Sequence, residues 1–353
     1  MTTPATTNTA HLDWQHVTLA APTAAAAASA YPHIHNFRLH NATGQCYGRA
    51  PEQRGKVLIV GGAFVDVTLA LEEMPEIGGD SYAKELKVGM GGCAMNVANI
   101  MLQEKIPLDL QVPLGAGPYA QLVAKQLTAD GYEPLVVDPT YDCAYCLCFV
   151  DKHGERTFIA VPGVENHMQA PWFDNISLEQ ADLIYIAGFD VTEGNGELYF
   201  SHYAHKQPHT QLFFDAGPRV HFMTKESLAA LLALQPILHL NRLELRLITG
   251  MTDPEEALCS LEQRCAGPII LSLDAEGCLV SFHGERVFFP VQREPVVDAT
   301  GAGDAHSSGI IAALLTGASL DEAIAYGHSL AVQAIAQIGA RIQLPTELLI
   351  PTA

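Results

Sequence analysis

The chain is short of positive charge. Nineteen Lys and Arg stand against 39 Asp and Glu, giving a net charge of −20 at pH 7 over 353 residues. Nonspecific attraction to nucleic acid or to an anionic membrane needs clustered cations, so neither is an expected partner. Local phosphate binding is still allowed, because backbone N–H groups and a divalent ion can meet phosphate charge whatever the net field.

Long hydrophobic runs are also lacking. The Ala-rich stretch at 24–30 is too short and too weakly apolar for an anchor, and no basic segment precedes it. No later stretch reads as a membrane span, so the expected compartment is the cytosol. The eight cysteines are scattered apart from Cys143, Cys146 and Cys148, which have no second pair at metal-ligand spacing. The run 144–150 instead predicts a strand with Cys146 and Cys148 on one face, acting as small buried hydrophobes. A chain of this length can bury an adequate core without disulfides. Gly61-Gly62-Ala63-Phe64 lacks the full Gly-x-Gly-x-x-Gly spacing, and no P-loop lysine motif occurs, which argues against a dinucleotide dehydrogenase and a P-loop ATPase. No internal repeat or heptad series is present.

Residues 1–54 are rich in Thr, Ala, Asn and His without a sustained period, and predict a flexible extension. Order is expected over 55–348. Lys56-Val57-Leu58-Ile59-Val60-Gly61-Gly62 is an apolar run ending in glycines, as for a buried parallel strand entering a ligand loop. From about Gly92 onward apolar strands (183–186, 212–215, 237–240, 269–273) alternate with helical stretches (119–130, 225–234, 254–264), the pattern of an open α/β sheet with helices on both faces. One region departs from it. Strands at 64–69, 81–88, 144–150 and 156–161, the last two a hairpin around Asp151-Lys152-His153-Gly154, predict a small β-sheet lid over a cleft.

The strongest chemical signal is Asp298-Ala299-Thr300-Gly301-Ala302-Gly303-Asp304, placed between an extended segment and a helix. Small residues at a helix N-terminus leave free N–H groups open to an anion. Asp304 beside such a site would repel phosphate unless it takes a proton from an attacking hydroxyl, which suggests a general base; the bland alternative is a helix cap. A second glycine-rich helix start, Gly89-Met90-Gly91-Gly92-Cys93-Ala94-Met95-Asn96, offers Asn96 as paired donor and acceptor for sugar hydroxyls, or is simply tight helix packing. Asp66 is a carboxylate inside the apolar Ala63-Phe64-Val65-Asp66-Val67 and needs partners. Asn241-Arg242-Leu243-Glu244 is either a helix cap or a phosphate and Mg²⁺ contact.

In this order, Asp66, Gly91-Gly92-x-x-x-Asn96, Asn241-x-x-Glu244 and Asp298-x-x-Gly301-Ala302-Gly303-Asp304 resemble the ribokinase-like (PfkB) carbohydrate kinase family over about residues 56–345. The stretch Gly163-Val164-Glu165-Asn166 resembles that of uncharacterised bacterial sugar kinases within it. The resemblance implies a three-layer α/β/α sandwich with a β-sheet lid, and transfer of the γ-phosphate of ATP to a sugar hydroxyl. It makes Asp304 the base and Gly301, Ala302 and Gly303 the anion hole. Asp66, Gly91, Gly92, Asn96, Glu165 and Asn166 become substrate contacts. Asn241, Ser272, Gly277 and His328 become nucleotide contacts, Glu244 an Mg²⁺ contact through water, and Asp298 with the Thr300 carbonyl a monovalent-cation (K⁺) site. It also implies a homodimer paired through the lid.

Three positions depart from the family pattern. Ala299 replaces a Thr, Asp274 stands where Gly is common in the nucleotide loop, and Cys93 stands where ribokinase-type members often have Lys. The lack of a basic residue there weakens a phosphosugar substrate. A nucleoside kinase, with Phe64, Cys93 and Met95 lining a base pocket, is the second expectation, and a silent sugar or nucleotide sensor the third.

Overall fold

The computed structural model describes residues 54–351, apart from 153–155, 193 and 283 and the side chains of 85 and 86. The expected extension lies outside the described residues except for Arg54, as does part of the 151–154 turn.

The main sheet has eight strands in the order β14-β13-β12-β11-β10-β9-β1-β4. These are β1 (Val57–Val60), β4 (Leu108–Gln111), β9 (Leu183–Ala187), β10 (Gln211–Asp215), β11 (Ile237–Asn241), β12 (Ile269–Ser272), β13 (Gly277–Phe282) and β14 (Glu285–Pro290). From β4 to β12 the pairing is parallel, whereas β13 and β14 form an antiparallel edge. The four residues of β1 and five of β9 are all buried, as unbroken apolar runs must be when helices cover both faces. The chain leaves β1 for β4 on one side and returns to β9 on the other. The winding therefore reverses beside β1, and a crevice opens at the carboxyl ends of β1 and its neighbours.

A four-stranded sheet rises from that crevice in the order β3-β2-β7-β8: β2 (Phe64–Ala70), β3 (Lys84–Gly91), β7 (Tyr145–Val150) and β8 (Arg156–Val161). Short β5 (Pro113–Leu114) and β6 (Val136–Val137) pair separately. The expected strand at 81–88 is displaced to Lys84–Gly91. Its ladder follows β2 from Ala70↔Lys84 to Phe64↔Gly91, so the partner's length sets its ends, and the exposed residues 81–83 stay outside. The edge hairpin β13–β14 breaks the expected strand–helix rhythm.

The helices are α1 (Cys93–Gln103), α2 (Pro118–Asp130), α3 (Asn195–Tyr203), α4 (Lys225–Ala233), α5 (Arg242–Thr249), α6 (Pro254–Glu262), α7 (Ala302–Leu315) and α8 (Leu320–Ile335). Local chemistry fixes their starts: Thr224, Asp253 and Ser319 accept N–H bonds at the caps of α4, α6 and α8. The central pair, α7 and α8, meet backbone to backbone. A Cβ on Gly309 would lie 2.7 Å from the Gly327 Cα, so nothing larger than hydrogen fits that crossing. No helix among the described residues is long and apolar enough to cross a membrane.

Candidate active site

Helix α7 begins after Gly301, whose φ of +78° lies in the left-handed region and whose would-be Cβ sits 2.7 Å from the Ala340 Cα. Both facts require glycine there. The Ala302 N–H closes a turn on the Ala299 carbonyl (3.2 Å), leaving Gly303 and Asp304 as the first-turn amides without a helical acceptor. Gly303 is exposed, and a Cβ built on it would meet nothing within 4 Å, so its backbone faces open space. Asp304 is next in the chain. Asn96 Nδ2 donates to its Oδ2 at 2.7 Å, and the Cys93 thiol is also in hydrogen-bond reach. Burial pushes the Asp304 carboxyl up to about 6 and the charge of Asp215 adds to that, while Asn96, Cys93 and His239 hold it back.

The start of α1 supplies the other wall. Gly92 has φ +93° and packs under the Gly62 carbonyl, to which a Cβ would come within 2.6 Å. Gly91 abuts Asp66: a Cβ there would fall 2.0 Å from Asp66 Oδ2. Burial raises Asp66 to about 6 against the opposing charge of Lys87. Asn96 is 4% exposed and its Oδ1 has no partner, although its Nδ2 is engaged. An acceptor atom in that state is ready for a ligand hydroxyl. Asp66, Gly91, Gly92, Asn96 and Asp304 thus form a continuous series across one cleft.

Glu165, an expected substrate contact, is engaged by the backbone. It is 3% exposed and its carboxylate accepts from the Gly163 N–H (3.0 Å) and the Ala144 N–H (3.3 Å), tying the lid base together. Asn166 keeps a buried Oδ1 without a partner.

Several residues of the cleft went unnoticed in the sequence. Asp190 follows β9 and accepts from the Gly62 N–H at 2.8 Å; burial raises it to about 7. Asp215 ends β10, accepting from Ser307 Oγ at 2.7 Å and pairing with His239 Nδ1 at 2.9 Å. Arg219 acts electrostatically on Glu165 and Cys146, and Lys87 on Asp66, so cations do border the pocket that seemed to lack them. Placement at the carboxyl end of a parallel strand was a readable signal for Asp215. The other contacts join distant segments.

Asp298 is already paired. Its Oδ1 accepts from the Thr300 N–H and its Oδ2 from the Gly339 N–H, each at 2.8 Å, and Arg156 of β8 adds an ion pair at 2.9 Å. Arg156 also donates to Thr300 Oγ1 at 2.9 Å.

Among the residues expected to contact nucleotide, sheet register aligns Asn241 and Ser272 with Cys278 across β11, β12 and β13, with Gly277 beside them. Gly277 has φ +121° and a Cβ on it would strike the Phe289 carbonyl at 2.0 Å. Asp274, at φ +54°, occupies a conformation in which Gly is at ease and Asp tolerated. Asn241 and Glu244 complete a capping box: Asn241 Oδ1 accepts from the Glu244 N–H at 3.0 Å, and Glu244 Oε2 from the Asn241 N–H at 2.8 Å. Glu244 Oε1 also accepts from Asn241 Nδ2, and burial lifts the carboxyl to about 7. His328 of α8 stacks on His306, with centroids 4.9 Å apart.

Comparison with known proteins follows the same outline. The pfkB family carbohydrate kinase model matches residues 54–347. An uncharacterised sugar kinase of Escherichia coli, YegV, is 30% identical over 282 residues, covering 79% of this chain and 88% of its own. A crystal structure of Thermotoga maritima ribokinase superposes with a TM-score of 0.70 at 19% identity, covering 81% of this chain and 94% of that one. Arabidopsis thaliana ribokinase complexed with ribose and ATP superposes at 0.65 with 18% identity, covering 82% and 95%. The chain belongs to the PfkB family of carbohydrate kinases, phosphotransferases that act on an alcohol group, and has the ribokinase-like fold.

Proposed function

We propose that this protein transfers the γ-phosphoryl group of ATP to a hydroxyl of a small sugar or sugar-like acceptor, with Asp304 as general base. The observation that carries this reading is the 2.7 Å bond from Asn96 to Asp304 at the first turn of α7, beside the open backbone of Gly303. Asn96 orients one carboxylate oxygen and leaves the other for the acceptor hydroxyl. Asp304 takes that proton as the hydroxyl oxygen attacks phosphorus and ADP departs. The free N–H groups of Gly303 and Asp304 face the charge that builds on the transferring group; one such donor is worth on the order of 3 kcal/mol. Asp66 and the unpaired Oδ1 of Asn96 accept from sugar hydroxyls, and the glycine backbone at 91–92 lets the sugar lie close.

The residues suit Mg²⁺ held through water. Both Glu244 oxygens already accept from Asn241, yet lone pairs remain, and a cation would keep a carboxyl lifted to about 7 ionised. The ion supplies neutralisation of phosphate charge. They suit K⁺ poorly, because the Asp298 carboxylate is committed to Thr300, Gly339 and Arg156.

The test is ADP release from ATP and Mg²⁺ across pentoses, hexoses, sugar acids and nucleosides, with Asp304→Asn alongside. Sugar-dependent release that the variant loses is the expected result. Release confined to nucleosides would replace the acceptor class, and near-wild-type turnover by Asp304→Asn would remove the base.

A further inference from the structure

We propose that Cys278, His306 and His328 form a binding site for a first-row transition ion of the Zn²⁺ class, behind the nucleotide side of the cleft. It does not depend on the phosphoryl-transfer reading above, and it is chemically distinct from an Mg²⁺ site, since Mg²⁺ takes oxygen ligands and this group offers sulfur and imidazole nitrogen.

The three side chains come from β13, α7 and α8, and one donor atom from each lies within 4.8 Å of the other two. Zinc bonds of about 2.0–2.3 Å in tetrahedral array put donors roughly 3.3–3.8 Å apart. The gap is therefore at most about 1–1.5 Å, within reach of small side-chain rotations. Cys278 is fully buried and His306 is 5% exposed. The Nε2 atoms of both His306 and His328 are buried without any hydrogen-bond partner. Buried polar atoms are normally paired, so two orphaned imidazole nitrogens beside one thiol need a ligand to explain them.

A hydrogen-bonded chain stands behind the His306 ring. His239 Nδ1 lies 2.9 Å from Asp215 Oδ1, and its Nε2 lies 2.9 Å from His306 Nδ1. When His306 ligates through Nε2, its Nδ1 donates to His239 Nε2, and His239 donates from Nδ1 to the Asp215 carboxylate; any second proton on His239 has to leave on binding. That arrangement leaves the lone pair of His306 at Nε2, the orphaned atom. A ligating histidine is usually held through its other ring N–H by a carboxylate, carbonyl or water; here the carboxylate of Asp215 stands one imidazole further back. On binding, the Cys278 thiol releases its proton to solvent and ligates as thiolate. With three protein ligands, the fourth position is left to water or to another small donor.

The experiment uses the full, untagged chain, freed of metal by chelator and kept in excess Mg²⁺. Zn²⁺ is titrated with a competing chromophoric chelator, and Co²⁺ is followed by its thiolate charge-transfer absorption. The expected result is one ion per chain, a charge-transfer band abolished by Cys278→Ser, and Zn²⁺ affinity weakened more than about 100-fold by Cys278→Ser or His328→Asn. Zn²⁺ should raise the melting temperature of the wild type but of neither variant. The two substitutions are made separately, so that a folding defect in one leaves the other to decide. Wild-type protein that binds Zn²⁺ no tighter than the variants, or a Co²⁺ band that survives Cys278→Ser, overturns the site.

Discussion

Arg156 on lid strand β8 forms an ion pair with Asp298, 2.9 Å away, at the start of the turn that leads into α7. The same guanidinium reaches Thr300 Oγ1, and Lys87 on β3 donates to the Ile338 carbonyl at 3.1 Å, so the lid is fastened to the core by two cations. Burial alone would raise Asp298, but the Thr300 and Gly339 N–H groups and Arg156 outweigh it and hold the carboxyl below its ordinary value. A built-in cation thus sits on the carboxylate that the family resemblance assigns to K⁺.

Activity should accordingly be insensitive to the choice of K⁺, Na⁺ or an organic cation. Arg156→Ala removes the charge that faces Asp298, whose side chain is 1% exposed, and should cost roughly 2–3 kcal/mol of stability. In that variant K⁺ should restore part of the lost turnover. Kinetics in matched chloride salts decides; clear K⁺ activation of the wild type would show that Arg156 does not serve in its place.

Asp304→Asn should lower kcat by about 10²–10⁴-fold, the usual worth of a positioned base. A base works ionised, and Asp304 titrates near 6. Wild-type kcat/KM should therefore fall with decreasing pH below about 6, tenfold per unit, and lie flat above. An acid limb that persists unchanged in Asp304→Asn would belong to another group.

How much of this was legible depends on distance along the chain. The turn at 298–304 and the main strands are local patterns, and each was readable from a few adjacent residues. Asp66 was readable as an acid in an apolar strand, though not that Gly91 exists to admit its carboxylate. The Asp215–His239–His306 chain joins residues 24 and 67 positions apart, and Arg156 meets Thr300 from 144 positions away. No local period encodes such pairs. Glu165 is an expected ligand contact through its family stretch, whereas the backbone N–H groups that its oxygens accept from are brought there only by the folded lid.

Five cleft carboxyls share a raised pKa, chiefly through burial: Asp66 and Asp304 near 6, and Glu165, Asp190 and Glu244 near 7. The folded state then holds protons that the unfolded chain, titrating near 4, has already lost. The stability these carboxyls contribute is lost as pH rises through that window, and they outnumber His306 and His328, whose burial lowers their pKa and gives the opposite slope. Thermal unfolding of the ligand-free protein should show a falling melting temperature between about pH 4.5 and 7.5. A melting temperature that climbs across this range would contradict the carboxyl assignment.

Glu165→Gln separates structure from substrate contact. At pH 8 the carboxylate accepts two backbone N–H bonds, and an amide can keep one of them while turning its NH₂ on the other donor. The expected cost is about 1–3 kcal/mol of stability with little change in kcat or in either KM. A selective rise in the acceptor KM would return Glu165 to the substrate.

Gly91→Ala is the sharpest probe of the acceptor pocket. Gly91 has no left-handed backbone angle, so alanine is tolerated by the chain itself. The new methyl would instead meet the Asp66 carboxylate, with Oδ2 at 2.0 Å, Cγ at 2.5 Å and Oδ1 at 2.8 Å. Asp66 has to swing away, and any hydrogen bond it makes to the sugar goes with it. A bond from a hydroxyl to a charged group contributes about 1.5–3 kcal/mol, so kcat/KM for the acceptor should fall by roughly 10–150-fold. The KM for ATP should hold, since neither Gly91 nor Asp66 is among the residues proposed to contact the nucleotide. Asp66→Ala should match that loss, and the double variant should be no worse than Asp66→Ala alone, because the methyl then has room. Additive losses in the double variant would show that Gly91 touches the sugar directly rather than through Asp66.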